Sequence, residues 1–457
     1  MFMKKNSAIY LALFSLLFIG VSCVSSTESE VETSPYALIS SFNLGNVKSK
    51  YPAFTSDGRD TTVVKTVNLS VYPFAINQAT GEIYNNDSLP YSTDVTKLVT
   101  SLSSTGVVGI YVDSTETYEA YSTSDSIDFS TLRKLRVYSS DAAFYKDYTL
   151  SVNVHRLDPD LMVWNRSVAP ENIVPERAVE FLGDMYVYGR DNEGVAVVSV
   201  SHLSGEVAWG GGVLSGLPSN IDFSTLQRFG DRLFVVASGD LYSSSTAYDW
   251  SPVLQGCGLV AITAVSDDED RIEVASESLF YSSTDGVNFM EEAPVPEGYP
   301  LYGVSLASYP LSHNNSIIRY MAVGYTTPEE DSGVSVWSRL STDSGWVEYE
   351  NSTNSFPCPS LKGLSVVRYD NSLYAVGGDG KAGETDVQAF ASFYISKDNG
   401  IVWKEPSGFY QRLPKELAGN NSAFAVAVDS NNNLWIVVPG ADGGTWKGII
   451  NRLGFKE

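Results

Sequence analysis

Ser396-Lys-Asp398-Asn-Gly400-Ile-Val-Trp403 is the stretch whose reading decides the fold. The Asp side chain can accept bonds from backbone N–H groups of a tight turn, Gly permits a positive φ, and the aromatic packs between sheets. Working outward, the turn sits in a recurring strand layout. Six second strands stand out: Met185-Tyr-Val-Tyr188, Arg232-Leu-Phe-Val-Val236, Arg271-Ile-Glu-Val-Ala275, Ile317-Ile-Arg-Tyr-Met-Ala-Val323, Ser372-Leu-Tyr-Ala-Val376 and Leu434-Trp-Ile-Val-Val438. A first strand precedes each, as in Ala423-Phe-Ala-Val-Ala-Val428. A third follows, and five times it leads to an aromatic near the start of a fourth: Trp209, Trp250, Phe289, Trp346 and Trp403. Four strands at a spacing of about 50 residues predict a β-propeller over residues 157–457, with six blades and seven as the alternative. Leu161-Met-Val-Trp164 has the form of a fourth strand and is expected to complete the last blade, so that no sheet edge is left open.

The pattern Ser-x-Asp-x-Gly-x-x-Trp resembles the aspartate box of sialidase-like propellers. Ser282-Ser-Thr284-Asp-Gly286-Val-Asn-Phe289 is a weaker copy, with Thr284 at the acid position and Phe289 for Trp. Ser243–Trp250 keeps the outline, and in Ser341-Thr-Asp343-Ser-Gly345-Trp346 the aromatic comes two residues early. Such turns lie away from the usual active face of a propeller, so these residues read as fold markers and not as catalysts.

Residues 36–156 read differently. Thr62–Ile76, Gly106–Val112, Leu135–Ser139 and Tyr148–His155 are short, β-branched or alternating runs separated by turn residues, the pattern of an immunoglobulin-like β-sandwich. Asp94–Leu102 reads as a short helix or a loop. The whole chain is therefore expected to be all-β, a sandwich followed by a propeller.

The first 22 residues carry an address. Lys4 and Lys5 form a basic start, and the apolar run Ala8–Val21 is too short to anchor in a bilayer but suits a secretory signal. It ends at Gly20-Val21-Ser22-Cys23, which resembles a bacterial lipobox with Gly in place of the usual Leu. Cys23 is thus the expected lipidation site. Residues 23–35, with Glu28, Glu30 and Glu32, read as an acidic flexible tether similar to the export signal of Bacteroidetes surface lipoproteins. The expected location is the outer membrane, facing outward, with the lipid as the membrane contact. Cys257 and Cys358 are the remaining cysteines, either paired or simply small apolar side chains.

Ile83-Tyr-Asn-Asn-Asp-Ser-Leu-Pro-Tyr-Ser-Thr-Asp94, Asp125-Ser-Ile-Asp-Phe129 and Tyr148–His155 look like the N-terminal domain of a Bacteroidetes lipoprotein family known only as domain of unknown function 6242. Trp446-Lys-Gly-Ile-Ile-Asn-Arg-Leu-Gly-Phe455 is similar to that family's C-terminal end. The resemblance implies a sandwich and a propeller and carries no catalytic residues.

Chemistry is sparse. With 54 Asp plus Glu against 30 Lys plus Arg, the net charge of −24 argues against nucleic acid as a partner. The Arg-Ile-Pro signature of sialidases, Gly-x-Ser-x-Gly and His-Glu-x-x-His are all absent from the sequence. Arg232 and Arg271 begin second strands and are expected in surface or turn roles, opposite the mouth. His155, His202 and His313 are scattered, so no metal or cofactor site is expected, and Asp267-Asp-Glu-Asp270 reads as a solvated hairpin tip. A non-catalytic protein that binds a glycan or protein through the propeller is the leading reading, and a divergent glycoside hydrolase or lyase is the alternative. Loops joining second to third strands line a propeller's mouth, which makes Arg190, Asp191, Asp240, Glu277, Asp331, Asp379, Lys381, Glu384, Asp386 and Asp442 the candidate ligand-binding residues. The longest of these loops, Thr326–Gly333 (with Glu329 and Glu330) and Gly377–Asp386, are rich in acceptors, which favours neutral sugars or a metal-bridged ligand over polyanions.

Overall fold

The computed structural model describes residues 35–54, 60–328, 333–349, 353–406, 410–440 and 443–454. Cys23, Glu329, Glu330, Asp331 and Asp442 lie outside the described residues. Regular structure is strands and short 3-10 turns, arranged in two compact units, the first of residues up to 51 and 64–156 and the second of residues 52–63 and from 157 onward. Among the described residues no helix is long and apolar enough to cross a membrane.

The first unit contains a three-stranded sheet (Ile39–Leu44, Leu98–Ser104, Ser126–Ile127) and a six-stranded one. The larger sheet runs Phe74–Asn77, Glu82–Asn85, Tyr145–Ser151, Arg133–Tyr138, Val107–Val112, Thr117–Ala120. Tyr145–Ser151 lies parallel to Glu82–Asn85 and antiparallel to Arg133–Tyr138. Alternation explains the core: Leu135, Val137, Tyr148 and Leu150 point inward against Ile39, Phe42, Leu44 and Leu98. The stretch read as one strand over Thr62–Ile76 is broken by a 3-10 turn at Leu69–Val71, whose Ser70 N–H donates to Asn68 Oδ1. The ambiguous Asp94–Leu102 is a loop running into the strand Leu98–Ser104.

The second unit is a succession of antiparallel sheets whose strands are neighbours in sequence. Four of them follow one order: Val174–Phe181 to Gly210–Val213, Ile221–Phe229 to Ser251–Leu254, Leu259–Ser266 to Met290–Pro294, and Tyr302–Leu311 to Val347–Glu348. A fifth has Ser365–Tyr369, Ser372–Val376 and Tyr394–Ser396, extended by the single bridge Ile395–Lys404. The sixth holds Ala425–Val428, Leu434–Val438 and Gly444–Ile450, and its outer strand is Met162–Ser167, from the start of the unit. Met162 pairs with Ile450 and Ser167 with Thr445, so the two ends of the unit are laced by one ladder, as the form of Leu161–Trp164 predicts.

The first strand of each sheet is the inner one. Val174–Phe181, Ile221–Phe229, Leu259–Ser266, Tyr302–Leu311, Ser365–Tyr369 and Ala425–Val428 neighbour one another in turn, and the last returns to the first. Second strands are buried along their length, as in Leu434–Val438 and Arg232–Ala237, because sheets pack on both of their faces. The cores between sheets are aromatic-rich, including Trp435, Tyr188, Tyr320 and Phe234.

The turn Ser396–Trp403 has the predicted geometry. Ser396 Oγ donates to Asp398 Oδ1 at 2.8 Å, and Val402 N–H donates to the same oxygen at 2.9 Å. Gly400 N–H donates to Ser396 Oγ at 2.8 Å, and Gly400 sits at φ +91°. A side chain there would meet Met321 Cε at 2.9 Å. Trp403 is buried, and its Nε1–H closes the turn on Gly400 O at 2.9 Å.

The second copy is shifted by one residue from the sequence reading. Asp285, not Thr284, is the turn acid, and Ser283, not Ser282, is its partner. Val287 and Asn288 N–H both donate to Asp285 Oδ1 at 2.8 Å, holding that carboxyl well below the usual range. Ser282 instead bonds Glu292 on the neighbouring strand. Gly286 does adopt positive φ, and Phe289 packs against the adjacent core. In Ser243–Trp250 the hydroxyl of Thr246 takes the acid's place, accepting from Asp249 N–H at 3.0 Å.

Candidate functional site

Antiparallel order places the N-terminal ends of the inner strands and the C-terminal ends of the second strands on one face, with the Ser396–Trp403 turn on the other. On the first face a pocket of about 430 Å³ lies among inner strands of five sheets. Pro175, Glu176 and Arg177 come from the first, Ser224 from the second, and Gly303 with Tyr325 from the fourth. Lys362–Ser365 with Gly378 belong to the fifth and Asn421–Phe424 to the sixth.

Local structure explains how these groups reach the opening. The inner strand Val174–Phe181 bulges at Glu176, so that Pro175 faces Gly189 and Arg177 faces Tyr188. Tyr302–Leu311 bulges at the same end, between Tyr302 and Ser305. A bulge re-aims side chains that a regular pleat would bury. Gly378 lies so close to Lys362 Cβ and Asn421 Oδ1 (3.1 and 3.3 Å from an added Cβ) that a larger residue would crowd the floor.

The carboxylates around the pocket are all engaged. Glu176 pairs with Arg190 Nε at 3.1 Å; burial pushes its pKa up against the pull of that guanidinium. Asp379 accepts from Ala389 N–H at 2.7 Å and from Asn421 Nδ2 at 2.6 Å, and these bonds hold its pKa down. Asp222 accepts from Ser224 N–H at 3.0 Å and Ser224 Oγ at 2.6 Å.

Arg177 differs. Its side chain has no hydrogen bond or ion pair among the described residues, and burial pushes its guanidinium pKa down to about 10, with Asp222 as the opposing influence. Part of its surface stays open to the pocket. Lys362 on the rim is exposed and likewise has no side-chain partner among the described residues.

None of the described residues expected at the mouth from the sequence lines the pocket. Arg190 and Asp379 stand directly behind the wall, holding Glu176 and Asn421. Asp191 spends its carboxylate on the N–H groups of Glu193 and Val195, at 2.9 and 2.8 Å, and Asp240 accepts from Gly256 N–H at 2.8 Å. Glu277 is an exposed turn residue. Lys381, Glu384 and Asp386 belong to no open loop: Gly380–Ala382 and Thr385–Val387 form a hairpin that pairs with Ser360–Leu361. Arg177, Lys362 and Asn421 were missed because they precede or open the inner strands. The available signal was polar residues, Glu176-Arg177 and Asn420-Asn421-Ser422, set against otherwise apolar first strands.

Arg271 also departs from its expected surface role. It donates from Nη2 to Glu273 at 3.0 Å and to Glu292 at 2.9 Å. Glu273 is fully buried and also receives Arg339 Nη1 at 2.9 Å, Trp346 Nε1 at 3.0 Å and Thr263 Oγ1 at 3.1 Å. Cys257 and Cys358 are both free thiols, and burial pushes the Cys358 thiol well up. Asp267–Asp270 is a turn between two strands, with Asp267 accepting from Gly230 N–H at 2.8 Å. A larger, shallower groove of about 970 Å³ runs along Arg166–Val174, but Arg166 is spent there on Gly443 O.

The class is thus an all-β protein with a β-propeller domain, and the family model of the DUF6242 β-propeller domain matches residues 158–457. The model of the DUF6242 N-terminal domain matches residues 42–152, so the chain belongs to this family of unknown function. No curated protein matches the sequence. Among solved structures it is similar to an α-L-arabinanase of Penicillium chrysogenum complexed with arabinobiose, at 13% identity and a TM-score of 0.38 over 63% of this chain and 98% of that one. It is also similar to the extracellular domain of the putative one component system BT4673 of B. thetaiotaomicron (11%, TM-score 0.35, 62% of this chain and 39% of that one). The SapL1 lectin in complex with α-methyl fucoside gives 12%, a TM-score of 0.36, and coverage of 59% and 89%. Likeness at this level says nothing of what this chain binds.

Proposed function

We propose that the chain is an outward-facing outer-membrane lipoprotein whose propeller binds a glycan or protein ligand at its mouth without chemical turnover. The observation that carries the binding reading is the pocket itself, where polar and aromatic side chains from five sheets and the turns that lead into them converge. Against turnover by the two-carboxylate route stands the lining: Glu176 is the one carboxylate among the described lining residues, and it is held by Arg190. The raised pKa of Glu176 is what favours the second reading, a divergent glycoside hydrolase or lyase, since a general acid needs such a shift.

Acylation at Cys23, the tether over residues 23–35 and surface display rest on the order of basic start, apolar run and cysteine. Six blades are supported by the cyclic succession of six inner strands, and an immunoglobulin-like unit over 36–156 by its two-sheet core. Screening the purified protein on glycan arrays, with turnover of the same glycans followed in parallel, tests the function. Binding without product is expected. Product formation would replace this reading with the hydrolase or lyase.

A further inference from the structure

A chain with net charge −24 has acidic groups to spare, yet among the described residues two cations at the propeller mouth, Arg177 near Asp222 and Lys362 near Asp379, make no ion pair or side-chain hydrogen bond. Arg177 is held half-buried by the bulge at Glu176, and the nearby carboxylates of Glu176, Asp379 and Asp222 already have donors on them. A guanidinium only partly open to solvent and without an ion-pair partner among the described residues carries part of a desolvation cost, and a bound anion would offset it. Charges of both signs surround the pocket, so a singly charged group suits it better than a polyanion.

The rest of the lining is not that of a bare ion site. Phe424 lies at the wall, backed edge-on by Phe390 at 4.8 Å, and Ser365, Ser422 and Asn421 offer neutral polar groups. The volume, about 430 Å³, falls within the roughly 300–1,000 Å³ of small-ligand sites. An apolar ring face, several hydroxyl partners and one planar anion describe an acidic sugar.

We infer that the mouth pocket binds the carboxylate of a uronic-acid-bearing oligosaccharide through Arg177 and Lys362. This rests on the binding reading above and replaces the neutral sugar expected from the acidic loops. Arg177 supplies the planar fork that matches a carboxylate, and Lys362 a rim charge that draws the anion in.

The test is titration of the purified full chain with neutral oligosaccharides that each carry a single terminal galacturonate, glucuronate or mannuronate. Each is compared with its carboxyl-reduced neutral counterpart and with a sulfated oligosaccharide of matched length. At least one uronate should bind tenfold or more tightly than its reduced form, and its binding should weaken with salt. Arg177→Gln should bring the affinity for the charged form down to that of its neutral counterpart. Lys362→Ala, at an exposed position that keeps the fold safe, should weaken uronate binding several-fold. Equal affinity for charged and neutral forms, a preference for the sulfated form, or full uronate preference in both variants would overturn the carboxylate assignment and leave glycan binding standing. No binding of any of these saccharides, charged or neutral, would end the glycan reading and this inference with it.

Discussion

Replacing Glu273 by Ala tests whether the sheets are locked together by the buried ionic cluster. Glu273 lies on the second strand of the sheet starting at Leu259, while Arg339 and Trp346 belong to the next sheet. Removing the carboxylate strips a partner from two arginines, an indole N–H and a hydroxyl together. Arg271 keeps Glu292, but Arg339 is left with aromatic faces, Trp346 at 5.0 Å and Tyr320 at 5.3 Å. Breaking a buried pair from one side costs about 3–5 kcal/mol, because the other charge remains in place without compensation. Urea unfolding followed by tryptophan fluorescence should therefore show a loss of about 3–5 kcal/mol for Glu273→Ala. The double variant Glu273→Leu with Arg339→Met should lose less than Glu273→Leu alone, since both charges then leave together. A loss under about 1 kcal/mol for Glu273→Ala, or strict additivity in the double variant, would refute the reasoning.

Trp403→Ala should cost about 3–5 kcal/mol through the cavity it leaves, and Asp398→Ala about 1–3 kcal/mol from unpaired turn donors; an unmoved denaturant midpoint for Trp403→Ala would mean that the ring packs nothing. Arg177→Met should raise stability by about 0.5–2 kcal/mol. The sign follows from the guanidinium pKa, pushed down to about 10: the charged form is disfavoured in the fold, and this penalty is at full size everywhere below that value. Melting curves should show the same gain at pH 5 and pH 8, and a loss would mean Arg177 is paired. Cys23→Ser should release the protein from membranes and abolish fatty-acid labelling; an unlabelled wild type would end the lipoprotein reading.

Much of the fold was legible because its signals are local. Second strands such as Leu434–Val438 are apolar on both faces, and the Ser396–Trp403 turn fixes its own hydrogen bonds within eight residues. The ladder between Met162–Ser167 and Thr445–Ile450 was readable only because an unmatched strand at one end answered a missing one at the other. The site was legible in outline alone. Gly378, after the second strand Ser372–Val376, does line the pocket, but Asp191 and Asp240 spend their carboxylates on turn N–H groups, a choice that composition does not reveal. Arg177 depends on a bulge, and the Glu273 cluster on two sheets meeting side by side, and both are set by packing between segments far apart in sequence.

The central claim, that ligand binds at the propeller mouth, is tested most directly by amide hydrogen exchange with and without a glycan selected from the array. Protection is predicted over Pro175–Arg177, Lys362–Ser365 and Asn421–Phe424, with Ser396–Trp403 and the first unit unchanged. Protection confined to the first unit, or to the Ser396–Trp403 face, would contradict the account.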